Sequence, residues 1–267
     1  MKKLIVIMAC ILLKTSVFAQ DEIGGIETDR PDQTETPSLV PPGNFQAEIG
    51  FSSEYDENDD ILSNETVSFR NFLYPTVLLK YGILSWVEAR FIVEYGESRA
   101  YKNNKQIDSA QRGFNLIAIG AKIGILQESG WQPKTSLIAH FVAPKTGNQQ
   151  FHLEDPAVDF RFTMQHTLPR DFSLSYNLGG DISTTSGVPP VWLYTLSLGL
   201  AVTDQWGLYG ESYGFYGSDR AAHNLLDAGI TYKLFPTLQF DLSAGLGVSD
   251  DAPDSFVAAG VSFRLPN

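Results

Sequence analysis

From Gly43 onward, apolar and polar residues alternate with a period of two, in one stretch after another. Phe45, Ala47, Ile49 and Phe51 alternate with Gln46, Glu48, Gly50 and Ser52. Val87, Ala89, Phe91, Val93 and Tyr95 do so with Glu88, Arg90, Ile92 and Glu94, and Leu238, Phe240, Leu242, Ala244 and Leu246 with Gln239, Asp241, Ser243 and Gly245. Successive side chains of a strand point to opposite faces, so the pattern marks strands with one apolar and one polar face. About twelve such stretches are present, over approximately 43–54, 66–81, 86–96, 113–126, 134–143, 156–168, 172–182, 191–202, 206–216, 224–234, 238–248 and 255–265. Each is near or above the ~9–11 residues that a tilted strand needs to cross a bilayer. No helical period is present beyond the first 19 residues.

The links between stretches alternate short and long. Short ones fall at Gly82–Ser85, Pro169–Asp171, Thr203–Gln205 and Phe235–Thr237, with a medium one at Gln127–Pro133. Longer polar ones are expected at Tyr55–Glu65, Glu97–Arg112, Pro144–Asp155, Ser183–Pro190, Gly217–His223 and Ser249–Asp254. A chain meandering across the outer membrane shows this alternation, with tight periplasmic turns and larger loops outside. An even strand number puts both ends of the barrel on the periplasmic side, and exposes Lys102, Lys105 and Arg112 to protease in an outer loop. Trp86, Trp131 and Trp206 fall in or beside the short links and Trp192 opens a strand after a long one, as two aromatic belts require. The fold expected is therefore all-β: a transmembrane antiparallel up-and-down barrel. Its rival is a secreted β-sandwich or soluble barrel, whose interior would be apolar.

The N-terminus reads as a leader. Met1-Lys2-Lys3 is basic, Leu4 to Leu13 is apolar and Val17-Phe18-Ala19 resembles a cleavage end, so residues 1–19 are expected to be a signal peptide cut before Gln20. Cys10 fits a lipoprotein site only loosely, since cleavage there would halve the apolar stretch. It is the single cysteine of 267 residues, and its loss with the leader suits an oxidising compartment and excludes a disulfide scaffold. With 43% apolar residues the chain is not intrinsically disordered. Without the leader 16 basic residues face 31 acidic ones, a net charge of −15, which argues against nucleic acid as a partner. Residues 20–42, rich in Asp, Thr and Pro, form an N-terminal arm, and residues 43–267 the barrel.

Charges on a lipid-facing surface cost up to ~2–4 kcal/mol each at the midplane, so strand parity should turn the polar faces inward. The inward set is Glu48, Arg70, Glu88, Arg90, Glu94, Asp159, Arg161 and Glu211, with Asp227 and Asp241. These residues either knit a filled interior or line an open lumen. In the arm, Asp29 and Asp32 flank Arg30, and Pro31 restricts the backbone. Entering from the periplasmic rim, the aspartates would meet Arg70, Arg90 and Arg161, and Arg30 would meet Glu48, Glu88 and Glu211. The arm then plugs or gates the lumen; the alternative is a disordered periplasmic tail.

A search for chemistry turns up little. Ser136 and His140 share a strand face but lie about 13 Å apart along it, too far for a nucleophile and its base. His152 with Glu154 and Asp155 is a weak metal set. Glu54, Asp56, Glu57, Asp59 and Asp60 lack the glycine-centred spacing of a calcium loop and read as a solvated outer loop. No catalytic residue, metal ligand or cofactor is assigned.

Several short patterns follow one another along the chain. Glu27-Thr28-Asp29-Arg30-Pro31-Asp32-Gln33-Thr34-Glu35-Thr36-Pro37 precedes Val40-Pro41-Pro42-Gly43-Asn44-Phe45-Gln46-Ala47-Glu48. Then come Leu79-Lys80-Tyr81-Gly82, Gly120-Ala121-Lys122-Ile123, Gly130-Trp131-Gln132-Pro133, Pro144-Lys145-Thr146-Gly147 and Asp227-Ala228-Gly229-Ile230-Thr231-Tyr232. Together they resemble the transporter-like outer-membrane barrels of the "MetA-pathway of phenol degradation" family. The resemblance implies a barrel and the passage of small molecules, aromatic ones among them. The function expected is an outer-membrane channel for passive uptake or efflux of small solutes. Its partners are outer-membrane lipid, a small-molecule solute and, during insertion, the barrel-assembly machinery. The alternative is a structural or ligand-sensing surface barrel without a through-pore.

Overall fold

The computed structural model describes residues 24–60, 65–107, 109–149, 151, 153–218 and 220–265; the expected leader, Cys10 and His152 lie outside them. The alternating stretches become twelve long strands: β1 (Phe45–Asp60), β2 (Glu65–Leu84), β3 (Val87–Lys102), β4 (Gln111–Leu126), β5 (Lys134–Val142), β6 (Ala157–Thr167), β7 (Phe172–Ser183), β8 (Val191–Ala201), β9 (Trp206–Gly217), β10 (Arg220–Phe235), β11 (Leu238–Gly247) and β12 (Ser255–Leu265). Each pairs antiparallel with its sequence neighbours, and β1 also pairs with β12, from Phe45 opposite Leu265 to Tyr55 opposite Ser255. The sheet closes on itself and leaves no edge, the condition for a sheet to sit in lipid, where an unpaired backbone group has no water to turn to.

Burial is inverted relative to a soluble protein. Gln46, Lys80, Glu88, Lys122, Thr163 and Asn177 are almost fully buried, whereas Ile119, Leu178, Leu242, Leu246 and Val257 are more than half exposed. The apolar faces turn outward and the polar faces inward, which excludes the soluble sandwich and places the protein in the outer membrane. Trp86, Trp131 and Trp206 ring the short-link end and Trp192 the other, all exposed.

Three strands run further than the period predicts: β1 to Asp60, β3 to Lys102, and β10 back to Arg220. The expected acidic loop Tyr55–Glu65 is therefore mostly strand, and Lys102 and Arg112 lie in strands rather than in a loop. Lys105–Gln106 pairs back onto Tyr101 and Lys102 through Asn103 and Asn104, both with positive φ (49° and 63°), the backbone that a two-residue hairpin demands. These extensions stand clear of the apolar band. There no face has to meet hydrocarbon, so the alternation that marks a half-buried strand is lost.

A bulge corrects one assignment. The register of β2 slips between Leu73 and Thr76, around Tyr74-Pro75, where proline cannot donate to the ladder. Below the slip, even-numbered residues such as Thr76 and Lys80 face inward; above it the parity reverses. Arg70 thus points out of the barrel, packed against the rings of Tyr55 (5.8 Å) and Tyr101 (5.2 Å), and is not a lumen residue.

Candidate functional site

The arm lies inside the barrel. Its start is held at the short-link end, where the Ile26 N–H donates to the Pro236 carbonyl (2.7 Å) and the Gln46 amide to the Glu27 carbonyl (2.8 Å). Residues 28–36 then cross the lumen, and the chain returns to the same end, where the Gly43 N–H donates to the Gly82 carbonyl (2.8 Å). An extended, proline-containing segment cannot satisfy its own backbone groups, so the polar wall does it. The Glu48 carboxylate accepts from the Asp29 N–H (3.0 Å), Glu88 from the Val40 N–H (2.7 Å), Glu211 from the Gln33 N–H (2.7 Å) and the Asn177 carbonyl oxygen from the Glu35 N–H (2.7 Å).

Asp29 is the centre of the seat. Its carboxylate accepts from Lys80 (3.0 Å), Arg90 (2.8 Å) and Lys122 (2.9 Å), contributed by β2, β3 and β4. All three cations are buried, and they are balanced by Glu48 and Glu88 from the wall and Glu35 from the arm. Arg90 extends the network: it donates to Glu35 (2.6 Å) and to His140 (2.9 Å), whose other ring nitrogen lies 3.0 Å from Asp159. Arg161 donates to the Gln33 carbonyl (3.2 Å) and lies 3.6 Å from Glu35. Glu94 accepts from Asn115 (3.4 Å) and lines the cavity above the arm.

Arg30 does not meet Glu48, Glu88 or Glu211. Its guanidinium grips Asp241 of β11 through two nitrogens, at 2.9 and 3.4 Å. It rests on Gly50 and Gly260, which face each other across β1 and β12; a Cβ on either would occupy the guanidinium's space. Among the described residues Asp32 meets no arginine. It faces Glu211 and Asp227, opposite partners on β9 and β10. Among the described residues none of these three carboxylates forms a salt bridge.

Lys80, Lys122, Glu35 and Asn177 were not among the expected site residues. The two lysines lie within the patterns Leu79-Lys80-Tyr81-Gly82 and Gly120-Ala121-Lys122-Ile123 that carry the family resemblance, which is the available signal. Ser136 shares a hydrogen bond with Thr163 (2.7 Å). Among the described residues no group of three or more His, Cys, Asp or Glu is placed to hold a metal ion.

The arm divides the lumen. A cavity of about 480 Å³ opens toward the short-link end, lined by Lys134, Ser173, Tyr209 and Lys233; one of about 340 Å³ lies on the other side, lined by Leu73, Leu78, Ile92 and Glu94. Arg30, Pro31 and Asp32 line both, and are the partition between them. A third chamber of about 400 Å³ sits at the loop end, walled by Ala118, Val142, Leu153, Val188 and Val191, and shares Ile92, Asp159 and Arg161 with the second.

Residues 28–265 match the family described as the MetA-pathway of phenol degradation. No curated protein matches the sequence. Among solved structures, the chain is similar to the COG4313 outer membrane channel of Pseudomonas putida F1, at 13% identity and a TM-score of 0.68, over 90% of this chain and 100% of that one. It is also similar to the translocator domain of the autotransporter NalP of Neisseria meningitidis, at 12% identity and a TM-score of 0.51, over 85% and 90% of the two chains. At these identities the likeness establishes the fold: an outer-membrane β-barrel.

Proposed function

Because the chain belongs to the MetA-pathway of phenol degradation family, matched from the arm to the last strand, we propose that it is a channel for passive movement of small solutes across the outer membrane, closed by its own arm. The observation that carries the reading is the partition: cavities lie on both sides of Arg30, Pro31 and Asp32, which among the described residues are the ones that line both. The Pseudomonas putida structure of the same fold is described as an outer membrane channel, which agrees. Asp29, Arg30 and Asp32 are the gating residues, and Glu48, Glu88, Arg90, Glu94, Asp159, Arg161 and Glu211 the lumen wall that receives them. The apolar chamber at the loop end suits a solute with an apolar body, aromatic ones included, whose polar end would meet His140, Asp159 and Arg161 on its floor. The protein carries out no reaction; its surroundings are outer-membrane lipid, into which the barrel-assembly machinery inserts it.

A second reading, a surface barrel without a through-path, draws support from the completeness of the arm's docking. Planar bilayers separate the two. Repeated single-channel steps from purified protein support the channel, larger or more frequent after deletion of Asp21 to Ser38. Silence of both proteins supports the sealed barrel.

A further inference from the structure

The reversal of parity above the β2 bulge leaves a feature that solute passage does not use. Arg70, Arg99 and Arg112 lie on the outward faces of β2, β3 and β4. Arg70 stands directly opposite Arg99, and Arg112 directly opposite Glu97, which shares its face with Arg99 two residues on. Like charges placed opposite each other across a ladder repel, an arrangement that is unfavourable unless an anion sits between them. Glu97, opposite Arg112, is taken by the Tyr74 hydroxyl and by Arg99 (2.5 Å). Glu57, further out on β1, is held by the Tyr55 hydroxyl. Among the described residues Arg70 and Arg112 have no salt-bridge partner, in a chain whose net charge is −12.

Their height is defined. Arg70 is fourteen residues from the end of β2 at Leu84, and Arg112 fourteen from the end of β4 at Leu126. At ~3.3 Å per residue and a ~40° tilt, both lie about 35 Å above the short-link end, beyond an apolar band of about 25 Å. Immediately below runs a row of rings across the same strands, Tyr74, Tyr95 and Phe114, with centroids 5.9 and 5.5 Å apart. Aromatic belts sit at the level where hydrocarbon gives way to headgroups. The arginines therefore project into the headgroup layer of the outer leaflet, from Cα positions within roughly 10 Å of one another. Phe72 and Tyr101 hold two of the guanidiniums by their faces (5.3 and 5.2 Å) and so pre-order them.

We propose that Arg70, Arg99 and Arg112 form a binding site for the phosphate headgroup of an outer-leaflet phosphorylated glycolipid, on the outer wall and separate from the lumen. Arginine forks match phosphate geometry, and the aromatic row beneath would lie along the acyl chains.

Native mass spectrometry of the full chain in detergent tests this with three probes: diphosphorylated lipid A, the same lipid after phosphatase treatment, and inorganic phosphate. We expect a one-to-one adduct with the phosphorylated lipid and at least tenfold less with the dephosphorylated one. Millimolar inorganic phosphate should not displace the lipid. The triple variant Arg70→Gln, Arg99→Gln and Arg112→Gln should lose the adduct tenfold or more. Should it fail to fold, Arg112→Glu, at an exposed position with no salt bridge among the described residues, should still weaken binding severalfold. Equal binding of the dephosphorylated lipid, displacement by free phosphate, or an undiminished adduct in a folded variant would overturn the proposal.

Discussion

The three-cation seat of Asp29 makes Asp29→Asn the sharpest perturbation of arm docking. Asparagine keeps the shape and can accept one hydrogen bond, but it removes the charge shared by Lys80, Arg90 and Lys122. Removing one partner of a buried ion pair costs roughly 3–5 kcal/mol. Lys80 retains Glu48 and Arg90 retains Glu88, whereas among the described residues Lys122 keeps the arm carbonyls of Thr36 and Ser38 and no carboxylate. Water also refills the lumen once the arm leaves. We therefore take the lower end, about 3 kcal/mol, which shifts the docked-to-undocked ratio about a hundredfold at ~1.4 kcal/mol per decade. A glutamate-specific protease cutting after Glu27 or Glu35 reads this shift, because cleavage tracks the undocked population when redocking is fast. Arm cleavage in purified Asp29→Asn should be about a hundredfold faster than in the parent, with the barrel's heat-resistant gel mobility unchanged. Cleavage at the parental rate would refute the claim that this charge network seats the arm.

Three further outcomes follow from individual contacts. Arg30→Ala strands Asp241, and Gly260→Val fills the guanidinium's seat; each should speed arm cleavage tenfold or more without altering barrel folding. Asp32→Asn removes one of three carboxylates that face each other without a salt-bridge partner among the described residues, so it should slow arm cleavage severalfold. Leu242→Arg, on the exposed apolar face of β11, should destabilise the barrel by about 2–4 kcal/mol in urea titrations in lipid while leaving arm cleavage in the folded fraction unchanged.

Strand number and facing were legible wherever one face meets lipid and the other the lumen. Glu48, Glu88, Arg90, Asp159 and Glu211 follow from parity alone, because a charge cannot face hydrocarbon cheaply. Lys80 and Lys122 escaped because their strands carry apolar or small residues on both faces: Leu78 points inward beside Lys80, and Gly124 beside Lys122 lies against Leu39 of the arm. Once an arm fills the lumen, the inner face is no longer uniformly polar and the period of two fades. Arg70 was misplaced by a single bulge, which reverses every side chain beyond it. The pairing of Arg30 with Asp241 rather than with Glu48, Glu88 or Glu211 depends on the path of the arm across the lumen, and no local pattern encodes that path.

The most direct test of the gating account locks the arm in place. The Thr34 and Thr195 hydroxyls are buried 2.7 Å apart, one on the arm and one on β8, so the side-chain γ positions are close enough for Thr34→Cys and Thr195→Cys to form a disulfide. Single-channel current is recorded from the oxidised protein, after reductant, and after reoxidation, with each single-cysteine variant as control. The account predicts silence when the bridge is closed, repeated conductance steps once it is reduced, and silence again on reoxidation. Equal currents in the bridged and reduced protein, or silence in both, would contradict it.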